Sequence, residues 1–297
     1  MYDISIAIPE SLQSDFIGYS FMSKLAGESL LHSKLSIKID FQNCSLIEGN
    51  LCAILGNILE GLIERDNIID IANVTPATLR SLANNGFLEK FNYPYSVPKY
   101  HTNSVQFKKF NLNDETRAKD FFDSELFGKE GMPQMSVAAK KAILRSIFEI
   151  CVNAITHAGC EYVYCCGQFF KGNNNPRATI TFVDLGKTIT ANVNRHLKLL
   201  LNGIEAIKWA LQEGNTTKFG DEPGGLGLKL LQDLLFYNKG KLQMISGNGF
   251  VEIIDKIITT TELQYDFPGT IVTIELKLGD PNFYILDTED EETQNIF

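Results

Sequence analysis

The stretch from Val137 to Ala158 constrains the fold most, because it has the pattern of a long helix that is apolar on nearly every side. One polar stripe interrupts this pattern: Glu149, Asn153 and His157 follow at intervals of four residues and so share one helix face. A helix that is apolar almost all round is typical of a buried helix. A carboxylate and a carboxamide there are costly to bury unless they bind something. A solvent-facing polar stripe on an amphipathic helix is the alternative interpretation.

The segments that follow this helix predict an antiparallel sheet with helices. A turn-forming linker, Lys-Gly-Asn-Asn-Asn-Pro, joins two strand-like segments and predicts a hairpin. Interleaved helices and antiparallel strands predict an α+β sandwich, one sheet with helices on one face. The predicted strands are 161–170, 177–184, 241–246, 250–259 and 270–278, and the predicted helices are 191–211 and 226–237.

The first ninety residues have a different pattern, in which strands and helices alternate. This pattern predicts a small, mostly parallel sheet covered by helices. The predicted strands are 3–9, 35–41 and 67–72, and the predicted helices are 11–31, 48–65 and 76–85. A proline-containing connector at 91–102 separates the halves, so we expect an α/β domain at 1–100, an α+β domain at 101–280 and an acidic, solvated tail at 281–297.

Composition excludes several classes of protein. The chain has 27 Lys and Arg against 36 Asp and Glu, a net charge of −9, which disfavours binding to nucleic acid. It has no secretory signal pattern and no apolar run of membrane-spanning length, so we expect a soluble protein that does not bind membranes. The six cysteines lack a secreted spacing and are expected to be reduced thiols in a cytoplasm.

A zinc site is disfavoured, although one cluster of possible ligands exists. His157, Cys160, Cys165 and Cys166 match no common zinc-finger spacing. Cys165 and Cys166 are consecutive in a predicted strand, so their side chains should point to opposite faces.

Three further motifs carry possible chemistry. Asp184-Leu-Gly186 ends a predicted strand, which could place an acceptor beside exposed backbone, although an ordinary turn has the same pattern. Gly225-Leu-Gly227 opens a predicted helix after a polar, glycine-rich segment from 212 to 225, as a phosphate-binding helix start under a mobile lid would. Gly269-Thr270 enters the last strand and could add a hydroxyl.

The order of these motifs over residues 105–278 resembles the GHKL ATPase superfamily, and Glu149–Ala158 is most similar to its anti-sigma-factor serine kinase branch. The resemblance implies a Bergerat-type α/β sandwich that binds ATP and Mg²⁺.

The resemblance also implies a role for each of these residues. Asn153 would help to hold Mg²⁺ and Glu149 would be the catalytic general base, with His157 on the same helix face as a further cofactor-binding residue. Asp184 would accept from the adenine amino group, with Gly186 letting the base lie close. Gly225 and Gly227 would lie under the phosphates and Thr270 would border the adenine pocket.

The sequence departs from the family pattern at Thr188, which stands where a second glycine is usual. No phosphoacceptor histidine helix precedes the ATPase half, which argues against a conventional sensor histidine kinase. The N-terminal half resembles a STAS (anti-anti-sigma) domain, but Glu48-Gly-Asn-Leu51 replaces the family's Asp-Ser-Ser-Gly and lacks the hydroxyl that is phosphorylated there.

These patterns predict a Mg·ATP-binding regulatory protein that either hydrolyses ATP slowly or transfers a phosphoryl group to a Ser or Thr of a protein partner of the STAS-like or sigma-regulatory type. The alternative is a non-catalytic nucleotide sensor or interaction scaffold with a degenerate pocket, which Thr188 favours. A DNA-processing ATPase is poorly supported because the charge has the wrong sign. Apolar surface on the STAS-like half would be consistent with a homodimer.

Overall fold

The computed structural model describes residues 2–96, 103–172, 174–212, 214–215 and 226–289, which form a mixed α/β protein. In its first part, strands and helices alternate. The elements are β1 Ile4–Ala7, β2 Ser11–Leu12, α1 Phe16–Ser29, β3 Ser36–Asp40, β4 Leu46–Ile47, α2 Cys52–Ile63, β5 Ile68–Ala72, α3 Pro76–Asn84 and α4 Phe87–Lys90.

The second part consists mainly of antiparallel strands and the helices packed on them. Its elements are β6 Ser104–Phe110, α5 Glu115–Phe122, β7 Gln134–Met135, α6 Val137–Ala158, β8 Val163–Phe170, β9 Arg177–Asp184, α7 Ile189–Leu197, α8 Gly203–Ala210, α9 Leu226–Asn238, β10 Lys241–Ile254, β11 Ile257–Lys277 and β12 Phe283–Tyr284. Over the described ranges, none of these helices has both the length and the apolar composition that crossing a bilayer requires.

The N-terminal sheet has the order β1-β3-β5, and its strands are all parallel, which confirms the sequence prediction. The predicted helix 11–31 begins later than expected, because Ser11 and Leu12 pair with β4 instead. Asp15 then caps α1 by accepting a hydrogen bond from the Gly18 N–H at 2.8 Å.

The second sheet has five strands in the order β10-β11-β9-β8-β6, each antiparallel to its neighbours. The predicted hairpin of β8 and β9 is confirmed. Helices α6 and α9 pack on the face that carries Phe182 and Val272, which we call the front face. Ser136 caps the start of α6, and Gly159, at φ 70°, ends it in the left-handed conformation.

The second part's own helices pack on the front face, as the sequence predicts, but the opposite face is covered too, by helices of the first part. Helix α1 packs on β11, and α2 packs on β8 and β9, at the opposite face, which carries Thr181 and Thr273 and which we call the rear face. The apolar core of the first 95 residues is therefore continuous with rear-face side chains. The pattern of the first half could not show this, because it indicates that a helix has an apolar side but not which sheet covers that side.

A row of polar side chains joins the two parts behind the sheet. Gln243, Thr273 and Thr181 lie opposite one another on β10, β11 and β9, and all three are buried. The Tyr19 hydroxyl on α1 lies 2.8 Å from Thr273 Oγ1 and 2.9 Å from Gln243 Oε1. The Asn50 amide donates to Thr181 Oγ1 at 2.8 Å. The row therefore has hydrogen-bond partners on the N-terminal elements.

The segment from Glu48 to Leu51, where the STAS resemblance places its phosphorylated loop, lies buried against the rear face of the sheet. The Glu48 carboxylate accepts from the Arg177 guanidinium at 2.9 Å and from the Ser14 N–H at 2.8 Å. The Gly49 N–H donates to the side chain of Gln168 on β8. Within the chain, this segment is thus occupied by contacts with the second part.

Two further sequence predictions need correction. The predicted helix 191–211 is two helices, because Lys198 adopts φ 57° and Asn202 starts α8 with a capping box to Glu205. The three predicted C-terminal strands are two long ones: β10 continues through register shifts at 246–249, and the turn of the hairpin lies at Asp255 and Lys256, both with positive φ.

Candidate functional site

A cavity lies between α6 and the front face of the five-stranded sheet. It is lined by Glu149, Asn153 and His157 from α6, by Asp184 at the end of β9 and by Thr270 on β11. Asp184 and Thr270 are opposite each other in the antiparallel pairing of β9 with β11, so both project from the same face. Five of the residues singled out from the sequence therefore meet at one cavity.

The polar stripe of α6 faces this cavity. Glu149, Asn153 and His157 are each half-buried rather than fully exposed. Within the described ranges, the Glu149 carboxylate and the Asn153 amide make no hydrogen bond or ion pair with another side chain or with the backbone. Two adjacent polar groups that face a cavity without protein partners are available to a ligand.

Asp184 is the most buried charged group at the cavity, with 1% of its surface exposed. Its Oδ1 accepts a hydrogen bond from the Gly186 N–H at 2.9 Å. Burial raises the pKa of Asp184 to about 7, and backbone hydrogen bonds from Gly186 and Thr270 act in the opposite direction. The carboxyl is thus fixed by backbone on one side and open to the cavity on the other.

Gly186 is required by a close approach of two backbones. A Cβ at this position would lie 2.6 Å from both the Cβ and the carbonyl oxygen of Ala158, the last residue of α6. The next residue, Lys187, donates its N–H to that same carbonyl at 2.8 Å. Gly186 itself does not line the cavity, so its observed role is to bring the end of β9 against the end of α6.

Thr188, the departure from the family pattern, has a structural role of its own. Its hydroxyl accepts a hydrogen bond from the Ala191 N–H at 3.1 Å and caps α7. Its φ of −65° suits any residue, so the backbone here does not require glycine. Threonine is therefore compatible with the backbone conformation at this position.

Sequence reasoning missed several residues at this site. Asn192, Trp209 and Lys187 also line the cavity, and the Asn192 amide donates to the His157 carbonyl at 2.9 Å. Ser246 lies opposite Thr270 on the neighbouring strand β10 and is fully buried. The sequence shows these residues only as parts of a helix, a loop or a strand end. Their convergence depends on the strand register and on the position of α7.

Of the two predicted phosphate-binding glycines, the structure describes Gly227 and not Gly225. Gly225 and most of the predicted lid, residues 216–225, lie outside the described residues. Gly227 lies in the first turn of α9, which packs beside α6.

The described side chains include no group of three or more His, Cys, Asp and Glu residues arranged around a possible metal ion. Cys165 lies in the front core and Cys166 in the rear core, which confirms that they face opposite ways. Asn153 nevertheless fits Mg²⁺, because this ion is usually held by one or two protein oxygens together with water and substrate phosphates.

Comparison with known proteins finds a weak structural similarity and no match in sequence. No protein-family model and no curated protein matches the sequence. Among solved structures, the fold is weakly similar to the topoisomerase IV ATP-binding domain of Francisella tularensis, determined in complex with a small-molecule inhibitor. The similarity has a TM-score of 0.28 and 10% sequence identity, and it covers 63% of this chain and 47% of that one, so the chain spans about half of the neighbour's length. A likeness this weak does not define a family.

Proposed function

We propose that this chain is a Mg·ATP-binding regulatory protein of the GHKL type. The observation that carries the proposal is the cavity in which the polar stripe of α6 faces the Asp184–Thr270 pair of the sheet. An apolar cavity with a few convergent polar groups, one of them with a perturbed pKa, is typical of a small-molecule site.

The base end of the ligand would lie against Asp184 and Thr270. Asp184 is held by the Gly186 N–H and has acceptor capacity left toward the cavity. The surrounding wall includes the apolar side chains of Val163, Val272 and Met244, on which a flat heterocycle can pack. A buried carboxylate in such a wall would recognise an exocyclic amine such as that of adenine.

The phosphate end would lie toward Asn153 and Glu149. Bound Mg²⁺ would neutralise phosphate charge, and the Asn153 side-chain oxygen would help to hold it. Glu149, one helical turn earlier, would take the proton from an attacking water or from a substrate hydroxyl. Gly227, in the first turn of α9, and Gly225, two residues earlier in the sequence, would supply backbone N–H groups to the phosphates.

The first hundred residues would serve as a STAS-like regulatory and docking part. Support comes from the parallel β1-β3-β5 sheet with its helices, and from the Glu48–Leu51 segment, which lacks a phosphorylatable hydroxyl. A protein partner carrying the acceptor Ser or Thr would then be a separate chain. As a general base, Glu149 would serve either reaction, slow hydrolysis of ATP or phosphoryl transfer to that partner.

Calorimetric titration of the full chain with ATP, with and without Mg²⁺, tests the proposal. We expect saturable binding that Mg²⁺ strengthens, and a loss of at least tenfold in affinity in Asp184→Asn. The single amide oxygen of this variant would stay on the Gly186 N–H, so its NH₂ group would face the adenine amine, which needs an acceptor. Asn153→Ala should lose the Mg²⁺ effect while retaining binding of ATP alone. No binding at millimolar ATP would refute the proposal.

Turnover separates the proposed enzyme from the non-catalytic sensor. We expect wild-type protein to release phosphate from ATP, or to label a partner, and Glu149→Gln to bind ATP normally while losing that activity. Equal activity of the two proteins would favour a sensor that uses ATP only as a ligand.

A further inference from the structure

Ser246 completes a row of three polar side chains across the sheet. It lies opposite Thr270, which in turn lies opposite Asp184, so β10, β11 and β9 each contribute one residue to the front face. Ser246 is the last regularly paired residue of β10 before the register shift at Gly247. It is fully buried and reaches the cavity wall, which Thr270 and Asp184 form, only through its contact with Thr270.

The hydroxyl of Ser246 contacts three groups. It accepts a hydrogen bond from the Ile189 N–H, the first residue of α7, at 2.8 Å. It donates to the carbonyl oxygen of Gly269 at 2.8 Å. Its third neighbour is Thr270 Oγ1, at 3.1 Å, in a pair where either oxygen could donate.

A count of protons indicates the direction of this third bond. A serine hydroxyl has one proton, and a carbonyl oxygen can only accept. When Ser246 donates its proton to the Gly269 carbonyl, the hydrogen bond between the two hydroxyls has Thr270 as its donor. Thr270 then has no proton left for the cavity and presents only lone pairs there.

We propose that Ser246 is a positioning residue that makes Thr270 a hydrogen-bond acceptor, so that the site selects bases with an exocyclic amine. This inference rests on the proposed nucleotide site. Thr270 and the ionised Asp184 together form a wall of two acceptors. A 6-aminopurine offers two N–H donors to such a wall, whereas a 6-oxopurine places a carbonyl oxygen against one of the acceptors.

Calorimetric titration with ATP and with inosine triphosphate at pH 8 measures this selection. We expect wild-type protein to bind ATP at least about tenfold more tightly than inosine triphosphate. In Ser246→Ala, the Thr270 proton is free to turn toward the cavity and can pair with the 6-oxo group, so the preference should fall by about tenfold. The variant also loses the hydrogen bond from the Ile189 N–H, which destabilises the start of α7. This effect should change the affinity for both ligands equally and leave the ratio of the two affinities unchanged.

The matched control is Ser29→Ala, which removes another buried serine hydroxyl, one that donates to the Leu25 carbonyl within α1. It should leave the ratio at the wild-type value. A Ser246→Ala protein whose ratio also stays at that value would overturn the inference while leaving nucleotide binding intact. Wild-type protein that binds neither triphosphate would overturn the proposed function, and the inference with it.

A second variant covers the case in which Ser246→Ala does not fold. Thr270→Val removes the acceptor and keeps the shape of the side chain. It should weaken ATP binding severalfold and leave inosine triphosphate binding unchanged or stronger, because the oxygen that opposes the 6-oxo group is gone. Equal weakening of both ligands would contradict an acceptor role for Thr270.

Discussion

Asp184 is a carboxyl group whose proton affinity the fold changes. Burial at the end of β9 raises its pKa to about 7, although backbone hydrogen bonds from Gly186 and Thr270 lower it. In the unfolded chain such a carboxyl ionises near pH 4. From about pH 4 to 7 the folded state therefore binds more protons than the unfolded state. The free energy of unfolding falls as pH rises through this window and levels off above it.

We expect Asp184→Asn to reverse this loss, because an amide does not ionise. At pH 8 the variant should have a larger free energy of unfolding than wild-type protein, by about 1–3 kcal/mol, and the difference should shrink toward pH 4. Urea unfolding across this range measures it. Asp120→Asn makes the same chemical change at an exposed position on α5 and is the matched control. A difference that grows toward acid would contradict the buried-carboxyl explanation.

Gly186 offers a steric test of the junction between β9 and α6. Gly186→Ala places a methyl group 2.6 Å from Ala158, so the two backbones must move apart at a cost of about 1–3 kcal/mol. Gly172→Ala is the control, since a Cβ there meets nothing within 4 Å. Urea unfolding of both variants gives the comparison. Equal free energies of unfolding for the two variants would show that the two backbones can move apart at no energetic cost.

At the scale of elements, local signals explain which predictions succeeded. Helix α6 was predicted with the bounds Val137–Ala158 that the structure has, because Ser136 and Gly159 flank an unbroken periodic stretch. The break between α7 and α8 was missed because leucines 199–201 extend the apolar pattern, although Asn202 and Glu205 form a recognisable capping box. The hairpin turn at Asp255-Lys256 was missed because it contains no glycine.

The candidate site shows the same limit. The sequence motifs could identify the cavity-lining residues on α6, β9 and β11, because each motif is a short continuous segment. Ser246 does not, since its importance depends on register across three strands, and the role of Asn192 depends on how α7 packs against the end of α6. Sequence patterns specify faces of elements but not which neighbour each face meets.

Helix α7 depends on the Thr188 cap for its start. Thr188→Ala should lower the free energy of unfolding by about 1 kcal/mol, because the Ala191 N–H loses its partner. Thr188→Gly should cost only a few tenths of that and should leave ATP affinity unchanged, since the backbone at 188 has ordinary angles. Thermal unfolding and calorimetry measure the two effects. Tighter ATP binding in Thr188→Gly would instead indicate that threonine impairs the pocket.

At the scale of the whole molecule, one apolar core joins residues of the first part with the rear face of the five-stranded sheet. Tyr19, Asn50 and Glu48 add buried hydrogen bonds and an ion pair across the same boundary. Parts that share a core of this kind are expected to unfold together, because neither can expose its side of the boundary without losing burial of apolar surface.

Trp209, the only tryptophan, gives a measurement of this coupling, since it lies at the cavity and far in sequence from the first part. Leu55→Ala removes a fully buried side chain of α2 and should lower the free energy of unfolding by about 2–5 kcal/mol. The midpoints of Trp209 fluorescence and far-ultraviolet circular dichroism should shift by the same amount. Leu200→Ala, at a side chain 99% exposed, should shift neither. If Leu55→Ala does not shift the unfolding midpoint that Trp209 fluorescence reports, the two parts unfold separately.

The apolar rear face also has a consequence for handling the protein. A fragment starting near residue 101 would leave Tyr164, Val183, Ile245 and Ile271 without the helices that cover them. Bare apolar sheet surface of this kind promotes self-association and precipitation. Loss of nucleotide binding in such a fragment would then report its poor solubility rather than the chemistry of the cavity, so a sample for biochemistry has to retain the first hundred residues.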